Sequence, residues 1–356
     1  MGSEIFLRIN YEEQLRIQSY PLVYEPSPTI GYRYIPGAEG RLCIPSICKD
    51  FTINQRGFYG YDFEVEKPED TCRIAIVDSS LATGIWLDGE EDFAMKMQNA
   101  FHAQGAPTQI LNLSIDGRFR DREILRLLEH EAGQYEPDLV LLWVHLPFVF
   151  ANVRRTVYRG HVVIYSGDSP NSLETAKDEV DFILSHTKTI ALYDASYAFR
   201  AAVHLYRRRV DTPLAALLKS YVEKRHQTDD LLPVPVSLKK SLERLDEVRD
   251  IVEARGEKLV LATFWKDDEL REIVERRGYQ MIELDAGAIP NRGHEFDGHF
   301  SEATHQKLAD LLVQKLTDLE FLTTEGHCRY DVLHAPAEED GGAEEDGGAE
   351  EGAAPL

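Results

Sequence analysis

Three side chains of this sequence have the types and spacing that nucleophilic catalysis requires. Ser80 follows the run 73–77, which is apolar after Arg73 and has the length of a buried strand, and a short turn leads from Ser80 to Gly84. Turns from a strand into a helix lie at the carboxyl edge of parallel sheets, where ligands bind. Asp297 and His299 are separated by one glycine, so one loop can carry a base for the serine and the carboxylate that orients this base. The pattern predicts an activated serine.

Two other interpretations of these residues stay open. A serine before a helix often serves only as its N-cap. His294, Asp297 and His299 can also be considered as metal ligands, but they lack the helical HExxH-like spacing that is typical of zinc sites. We therefore predict no metal site and no cofactor, and we expect His305, on the helix that follows, to be structural.

A regular alternation of strands and helices surrounds these residues. Short apolar runs predict strands, and amphipathic stretches predict helices. The predicted strands are 73–77, 108–113, 139–144, 258–264 and 280–284, and the predicted helices are 90–104, 120–135, 267–277 and 301–319. Because strands that alternate with helices form parallel sheets covered on both faces, the sequence predicts an α/β fold.

The α/β pattern predicts one large domain with an extension, an insertion and a tail. Residues 1–70 are rich in proline, glycine and tyrosine, which indicates irregular structure packed on the core. Residues 71–334 form the predicted domain, and the amphipathic, charged segment of about 172–256 interrupts it as a helical insertion. Residues 335–356 carry eight acidic and no basic side chains. We expect them to be disordered, because they cannot bury a core.

The charge and hydropathy of the chain exclude some function classes. Its 62 acidic and 39 basic residues give a net charge of −23. The body without the tail still carries about −15, which argues against nucleic-acid binding. No apolar run approaches the roughly 20 residues of a membrane span. The N-terminus has no basic start followed by an apolar stretch, so we expect no signal peptide and a cytoplasmic location.

The four cysteines are too few for the framework of a disulfide-stabilised protein. Cys43 and Cys48 are near enough in sequence to pair across a loop. Because the cytosol is reducing, we nevertheless expect free thiols at these two positions and at Cys72 and Cys328.

The stretch RIAIVDSSLATGIW resembles the first sequence block of the SGNH/GDSL hydrolases, in which a strand ends in Gly-Asp-Ser-Leu. A gapless match places Ser80 at the nucleophile of that family and Leu81 and Gly84 at its following positions. Asp78 and Ser79 then stand where the family has Gly and Asp. Moving the frame by one residue makes Ser79 the nucleophile and restores the aspartate, but it misplaces the two positions that follow. We therefore prefer Ser80.

Two further stretches bear on the oxyanion that such a reaction forms. The run 111–117 resembles the second block, whose glycine, here Gly117, supplies a backbone N–H to the oxyanion hole. The third block supplies an asparagine side chain after a strand, but this sequence has His145 after the run 137–144. His145 is either a substitute donor or a strand-end histidine. Loss of one such donor costs on the order of a hundredfold in rate.

The run 295–309 resembles the last block, in which an aspartate and a histidine precede a helix that carries a second histidine. The resemblance makes His299 the base that takes the proton from Ser80 and later protonates the leaving group. Asp297 then holds the imidazole ring and stabilises its charged form.

The resemblance implies a three-layer α/β/α, flavodoxin-like parallel sheet and acyl transfer through an acyl-serine. We expect a serine-dependent esterase that acts on a small-molecule ester, such as an acylated sugar or natural product. One alternative is an O-acyltransferase of the same fold. Another is a catalytically impaired binding protein, whose insertion helices or acidic tail contact a protein partner. The pair of Asp297 and His299 favours an enzyme, whereas the missing asparagine favours the binding protein.

Overall fold

The computed structural model describes most of the chain. The described residues are 2–11, 22–44, 47–84, 87, 91–116, 121–144, 153–166, 171–207, 238–290, 299–323 and 328–329. The predicted acidic tail, 335–356, lies outside them. No helix among the described residues is long and apolar enough to cross a membrane.

The N-terminal region holds one helix and two antiparallel hairpins. Helix α1 spans Gly2–Asn10, β1 (Tyr24–Ser27) pairs with β2 (Gly31–Tyr34), and β3 (Glu39–Ile44) pairs with β4 (Ile47–Thr52). The prediction of irregular structure is wrong here, because strands of four to six residues are too short to give a clear alternation of polar and apolar side chains.

Strands and helices alternate in the rest of the chain. They are β5 (Cys72–Val77), α2 (Ser80–Thr83), α3 (Phe93–Ala103), β6 (Thr108–Asn112), α4 (Asp121–His130), β7 (Leu139–Trp143), the hairpin of β8 (Val153–Tyr158) and β9 (His161–Ser166), α5 (Ser172–Ser185), α6 (Thr187–Ala195), α7 (Tyr197–Arg207), α8 (Leu238–Glu253), β10 (Lys258–Thr263), α9 (Asp268–Glu275), β11 (Met281–Glu283) and α10 (Glu302–Asp318). Helices α5 to α8 fall within the predicted insertion.

Five strands form one parallel sheet in the spatial order β11–β10–β7–β5–β6. Counted along the chain, this is the 2-1-3-4-5 order of flavodoxin-like doubly wound folds. The predicted fold class is therefore confirmed. In such sheets, ligands bind at the carboxyl edge where the strand order reverses, which here lies between β5 and β7.

Alternate side chains of the sheet enter two separate cores. Ala75 and Val77 of β5 lie in the core that contains α4 and α8, whereas Ile74 and Ile76 lie in the core that contains α3 and α10. All six residues of β5 are buried, as expected for a strand covered on both faces. The sheet and its two helical layers thus position the carboxyl ends of the strands.

Cys72 and Cys328 form a disulfide bond, and Cys48 is disulfide-bonded as well. The prediction of free thiols is wrong for these residues. The chain turns back after α10, where Leu322 forms an isolated β-bridge with Cys328. The Cα atom of Cys328 thereby lies 5.2 Å from that of Cys72, which is within the range of disulfides. The bond spans 256 residues, so no local pattern could have indicated it.

Loss of this bond is expected to lower the free energy of unfolding by about 2–5 kcal/mol, because a disulfide restricts the unfolded chain. Urea denaturation of the wild-type chain and the Cys328→Ser variant, both without reductant, measures the loss. Alkylation and peptide mapping of the unfolded, unreduced wild type provide the control and should find Cys72 linked to Cys328. Free, alkylated Cys328 in the wild type would contradict the prediction.

Candidate functional site

Ser80 opens the short helix α2 directly behind β5, at the point where the strand order of the sheet reverses. Strand β5 ends at Val77, Asp78 behind it is buried, and Ser79 has an extended backbone with φ −104° and ψ −153°. Because ligands of doubly wound sheets bind at this edge, the turn places two serine hydroxyls at the expected binding crevice.

The two hydroxyls of this turn differ in their surroundings. Ser79 donates a hydrogen bond of 3.3 Å to the Oδ1 atom of Asp78. Ser79 occupies the N-cap position of α2, but its side chain makes no capping bond. The half-buried Ser80 makes no side-chain hydrogen bond to any described residue. The hydroxyl of Ser80 is thus the one left available for chemistry.

Two contacts fix the turn that carries Ser80, one at its glycine end and one from strand β6. Gly84 ends α2 with a left-handed φ of 69°, and a Cβ atom at this position would lie 2.4 Å from the Cβ atom of Asp92. Only glycine fits there. From the neighbouring strand, Asn112 donates a side-chain hydrogen bond of 2.7 Å to the carbonyl oxygen of Ala82. These contacts fix the backbone that presents Ser80.

The carboxyl group of Asp92, which packs against this turn, is fully buried. Its Oδ1 atom accepts the N–H of Met95 at 2.9 Å and caps helix α3. Burial raises the pKa of Asp92 to about 7, although hydrogen bonds from Met95 and Ala94 and the charge of Lys96 act in the opposite direction. Asp92 therefore keeps a proton at pH values where an ordinary aspartate is ionised.

The contribution of Asp92 to stability is expected to fall as the pH rises from about 4 to about 7. In this window the folded chain keeps a proton that the unfolded chain has released, so higher pH favours unfolding. The Asp92→Asn variant keeps the capping oxygen and lacks the titrating group. Between pH 5 and pH 8, the unfolding free energy of this variant should fall less than that of the wild type. The difference between the two falls should be on the order of 2 kcal/mol. Urea denaturation of both proteins at pH 5 and pH 8 measures this, and parallel pH dependences would contradict it.

His299 lies just before helix α10 and is half-buried. The next residue, Phe300, packs against Phe264 behind β10, with ring centroids 4.9 Å apart. One turn into α10, the Nδ1 atom of the buried His305 accepts the N–H of Phe93 at 3.0 Å. His305 thus joins the N-terminal ends of α10 and α3, which is the structural role expected for it. These contacts hold His299 at the same edge of the sheet as Ser80.

Asp116, behind strand β6, is a buried carboxylate that the sequence analysis did not single out. The hydroxyls of Tyr24 and Tyr34 both donate to its Oδ1 atom, the latter at 2.8 Å. Its backbone is held as well, since Tyr32 donates to its carbonyl oxygen at 2.8 Å and its N–H donates to the hydroxyl of Tyr34 at 3.1 Å. The hairpin of β1 and β2 therefore fixes the end of β6.

Asp116 and His299 interact electrostatically. Burial raises the pKa of Asp116, whereas the hydrogen bonds from Tyr24 and Tyr34 and the nearby charge of protonated His299 lower it. The carboxyl group of Asp116 thus lies within electrostatic range of the predicted base. The signal in the sequence was the tyrosine pair at alternate positions, 32 and 34, which predicts two side chains on one face of a strand.

Three predicted site residues, Gly117, His145 and Asp297, lie outside the described residues, and so does the metal ligand candidate His294. Their roles stay predictions. Ser80 and His299 are described, and both lie at the carboxyl edge of the sheet.

One group of possible metal ligands occurs among the described residues, and it lies at the opposite edge of the sheet. It consists of Cys72, Asp138 and Cys328. The two sulfur atoms form the disulfide, and the carboxylate of Asp138 accepts hydrogen bonds from Lys67 at 2.7 Å and from the N–H of Arg73 at 2.8 Å. These atoms are engaged with each other and with protein donors, so the group has a structural explanation.

No family model matches the chain, and no curated protein matches it. Among solved structures, TesA is 11% identical with a TM-score of 0.37, over 69% of this chain and 98% of TesA. The psychrotrophic esterase EstA from Pseudoalteromonas sp. is 13% identical with a TM-score of 0.39, over 69% of this chain and 97% of EstA. A GDSL-like lipase from Bacteroides thetaiotaomicron is 7% identical with a TM-score of 0.35, over 72% of this chain and 92% of the lipase. The chain is similar to these proteins, but TM-scores below 0.4 leave the question of function to its own side chains.

Proposed function

We propose that this protein is a serine-dependent esterase that hydrolyses a small or carbohydrate-type ester through an acyl-serine at Ser80. The observation that carries the proposal is the position of Ser80 at the switch point of the sheet and at the same edge as His299, with a hydroxyl that no other described residue engages. A serine hydroxyl and a histidine at one edge of the sheet are the residue types that nucleophilic catalysis requires, and this supports the proposal.

In the proposed reaction, the Oγ atom of Ser80 attacks the carbonyl carbon of the ester and passes its proton to the imidazole of His299. Asp297 orients the imidazole, and the N–H of Gly117 stabilises the oxyanion, with His145 as a further donor. Collapse of the tetrahedral intermediate breaks the bond to the alkoxy oxygen, which takes the proton from the imidazole and leaves as the alcohol. Water, deprotonated by the same imidazole, then releases the carboxylic acid and restores the serine.

The acceptor of the acyl group distinguishes the esterase from an O-acyltransferase of the same fold. With para-nitrophenyl acetate as donor, free acetate is expected to be the main product, whether or not glycerol or a monosaccharide is added. Mass spectrometry and quantification of acetate measure the two routes, with the Ser80→Ala variant as the control for uncatalysed reaction. Acetylated glycerol or sugar as the main product would contradict hydrolysis and favour transfer.

A further inference from the structure

Three arginines gather where helix α4 meets the hairpin of β8 and β9. Arg122 and Arg126 are four residues apart on α4, so they lie on one face of the helix. Arg154 of β8 stands directly opposite Tyr165 of β9, so these two side chains share a face of the hairpin. Burial, and then the nearby charges of Arg126 and Arg154, lower the pKa of Arg122, whereas Glu123 and Tyr165 act in the opposite direction. Arg122, Arg126, Arg154 and Tyr165 are called the arginine cluster below.

The arginine cluster has little compensation from acidic side chains within the described part of the chain. The adjacent carboxylate of Glu123 is engaged with Arg155 at 2.8 Å in a largely buried ion pair. Arg126 donates one hydrogen bond, to a backbone carbonyl of the turn between β1 and β2, at 3.0 Å. Arg122 and Arg154 make no hydrogen bond or ion pair to any described residue. In a chain with a net charge of −23, three arginines that share one nearby carboxylate among the described residues point to an anionic ligand.

The arginine cluster lies towards the edge of the sheet that carries Ser80. Helix α4 begins at Asp121, shortly after Asp116 at the carboxyl end of β6. A helix that follows a strand of a doubly wound sheet starts at the carboxyl edge of that strand. Arg122 stands in the first turn of this ten-residue helix, where the helix dipole adds to the attraction for an anion.

We propose that the arginine cluster binds an anionic group, a carboxylate or a phosphate, carried by the ester that Ser80 turns over. The identity of the ester rests on the proposed function, whereas the anion site rests on the cluster alone. The planar guanidinium group donates paired hydrogen bonds to carboxylate and phosphate oxygens, and the hydroxyl of Tyr165 is a further donor. Because the net charge of the chain repels anions elsewhere, the cluster selects esters that carry a negative group.

Calorimetric titration of the full chain with inorganic phosphate and with succinate tests the anion site independently of catalysis. The dissociation constant of the anion that binds is expected to rise about ten- to hundredfold in Arg122→Gln and in Arg154→Gln. Arg154 is exposed, so its variant keeps the test valid if Arg122→Gln fails to fold. The exposed Arg276, replaced by glutamine, and Ser80→Ala serve as controls that should bind like the wild type. Absence of binding by the wild type, or unchanged binding in both cluster variants, overturns the proposal.

The same variants test the link to the substrate. The ratio of kcat/KM for para-nitrophenyl hydrogen succinate to kcat/KM for para-nitrophenyl acetate is expected to fall about tenfold or more in Arg122→Gln and Arg154→Gln, and to stay unchanged in Arg276→Gln. A ratio that is equal in all variants refutes the link to the ester. A chain that turns over neither ester, but loses anion binding in the cluster variants, refutes the proposed function and supports the anion site.

Discussion

Replacement of Ser80 by alanine is expected to lower kcat/KM for ester turnover by about 10⁴- to 10⁶-fold, because the acyl-serine can no longer form. The fold should be unaffected, since the hydroxyl of Ser80 makes no side-chain hydrogen bond to any described residue. Steady-state turnover of para-nitrophenyl acetate measures the activity, and near-ultraviolet circular dichroism checks the fold.

The neighbouring serine provides a matched control. Ser79→Ala removes a hydroxyl that is engaged with Asp78, and its turnover should stay within about tenfold of the wild type, as expected for loss of one hydrogen bond. If Ser79→Ala loses activity and Ser80→Ala keeps it, the shifted match to the first block is right and Ser79 is the nucleophile. Activity retained in both variants would exclude a serine of this turn as the nucleophile.

Replacement of Asp116 is expected to cost more stability than replacement of a tyrosine that contacts it. Asp116→Ala leaves the buried hydroxyls of Tyr24 and Tyr34 without their carboxylate acceptor, so the free energy of unfolding should fall by about 2–5 kcal/mol. Tyr32→Phe, which removes one hydrogen bond to the backbone of Asp116, should cost about 1 kcal/mol. Urea denaturation measures the unfolding free energy of both variants. Equal stabilities would contradict the prediction that the carboxylate contributes more to stability than the hydrogen bond from Tyr32.

A purely structural role of Asp116 can be separated from an electrostatic role beside His299. Asp116→Asn keeps an acceptor oxygen for the hydroxyls of Tyr24 and Tyr34 and removes the carboxylate that interacts with His299. If the carboxylate acts through His299 during turnover, this variant should have a lower kcat and an unchanged KM for para-nitrophenyl acetate. A kcat equal to that of the wild type would show that Asp116 acts only on the fold.

The sequence predicted the sheet because its strands are buried on both faces and alternate with helices, and both properties leave a strong local pattern. It also predicted Ser80 behind a strand and His299 before a helix, and both lie there, whereas their roles in catalysis stay predictions. The tyrosine contacts to Asp116 were missed because they join positions 82 to 92 residues apart. The disulfide of Cys72 was missed for the same reason, because its partner is brought close only by the completed fold.

The N-terminal hairpins show a second limit of the sequence pattern. Strands β1 and β2 have four residues each, so the alternation of Tyr32 and Tyr34 is too short to predict a strand. Once folded, however, these tyrosines bury their rings and direct their hydroxyls to Asp116. Tyr24 and Tyr34 donate to its carboxylate, and Tyr32 donates to its carbonyl oxygen, as buried tyrosine hydroxyls need a hydrogen-bond partner. The extension thus contacts Asp116 at the candidate site and does not only cover the core.

Labelling of the folded wild-type protein with a fluorophosphonate probe, followed by peptide mapping, tests most directly whether Ser80 is an activated nucleophile. We expect one labelled serine, Ser80, and loss of labelling in His299→Ala but not in His305→Gln if that variant folds. A folded wild-type protein without labelling, or with labelling of Ser80 that survives in His299→Ala, would contradict the proposed mechanism.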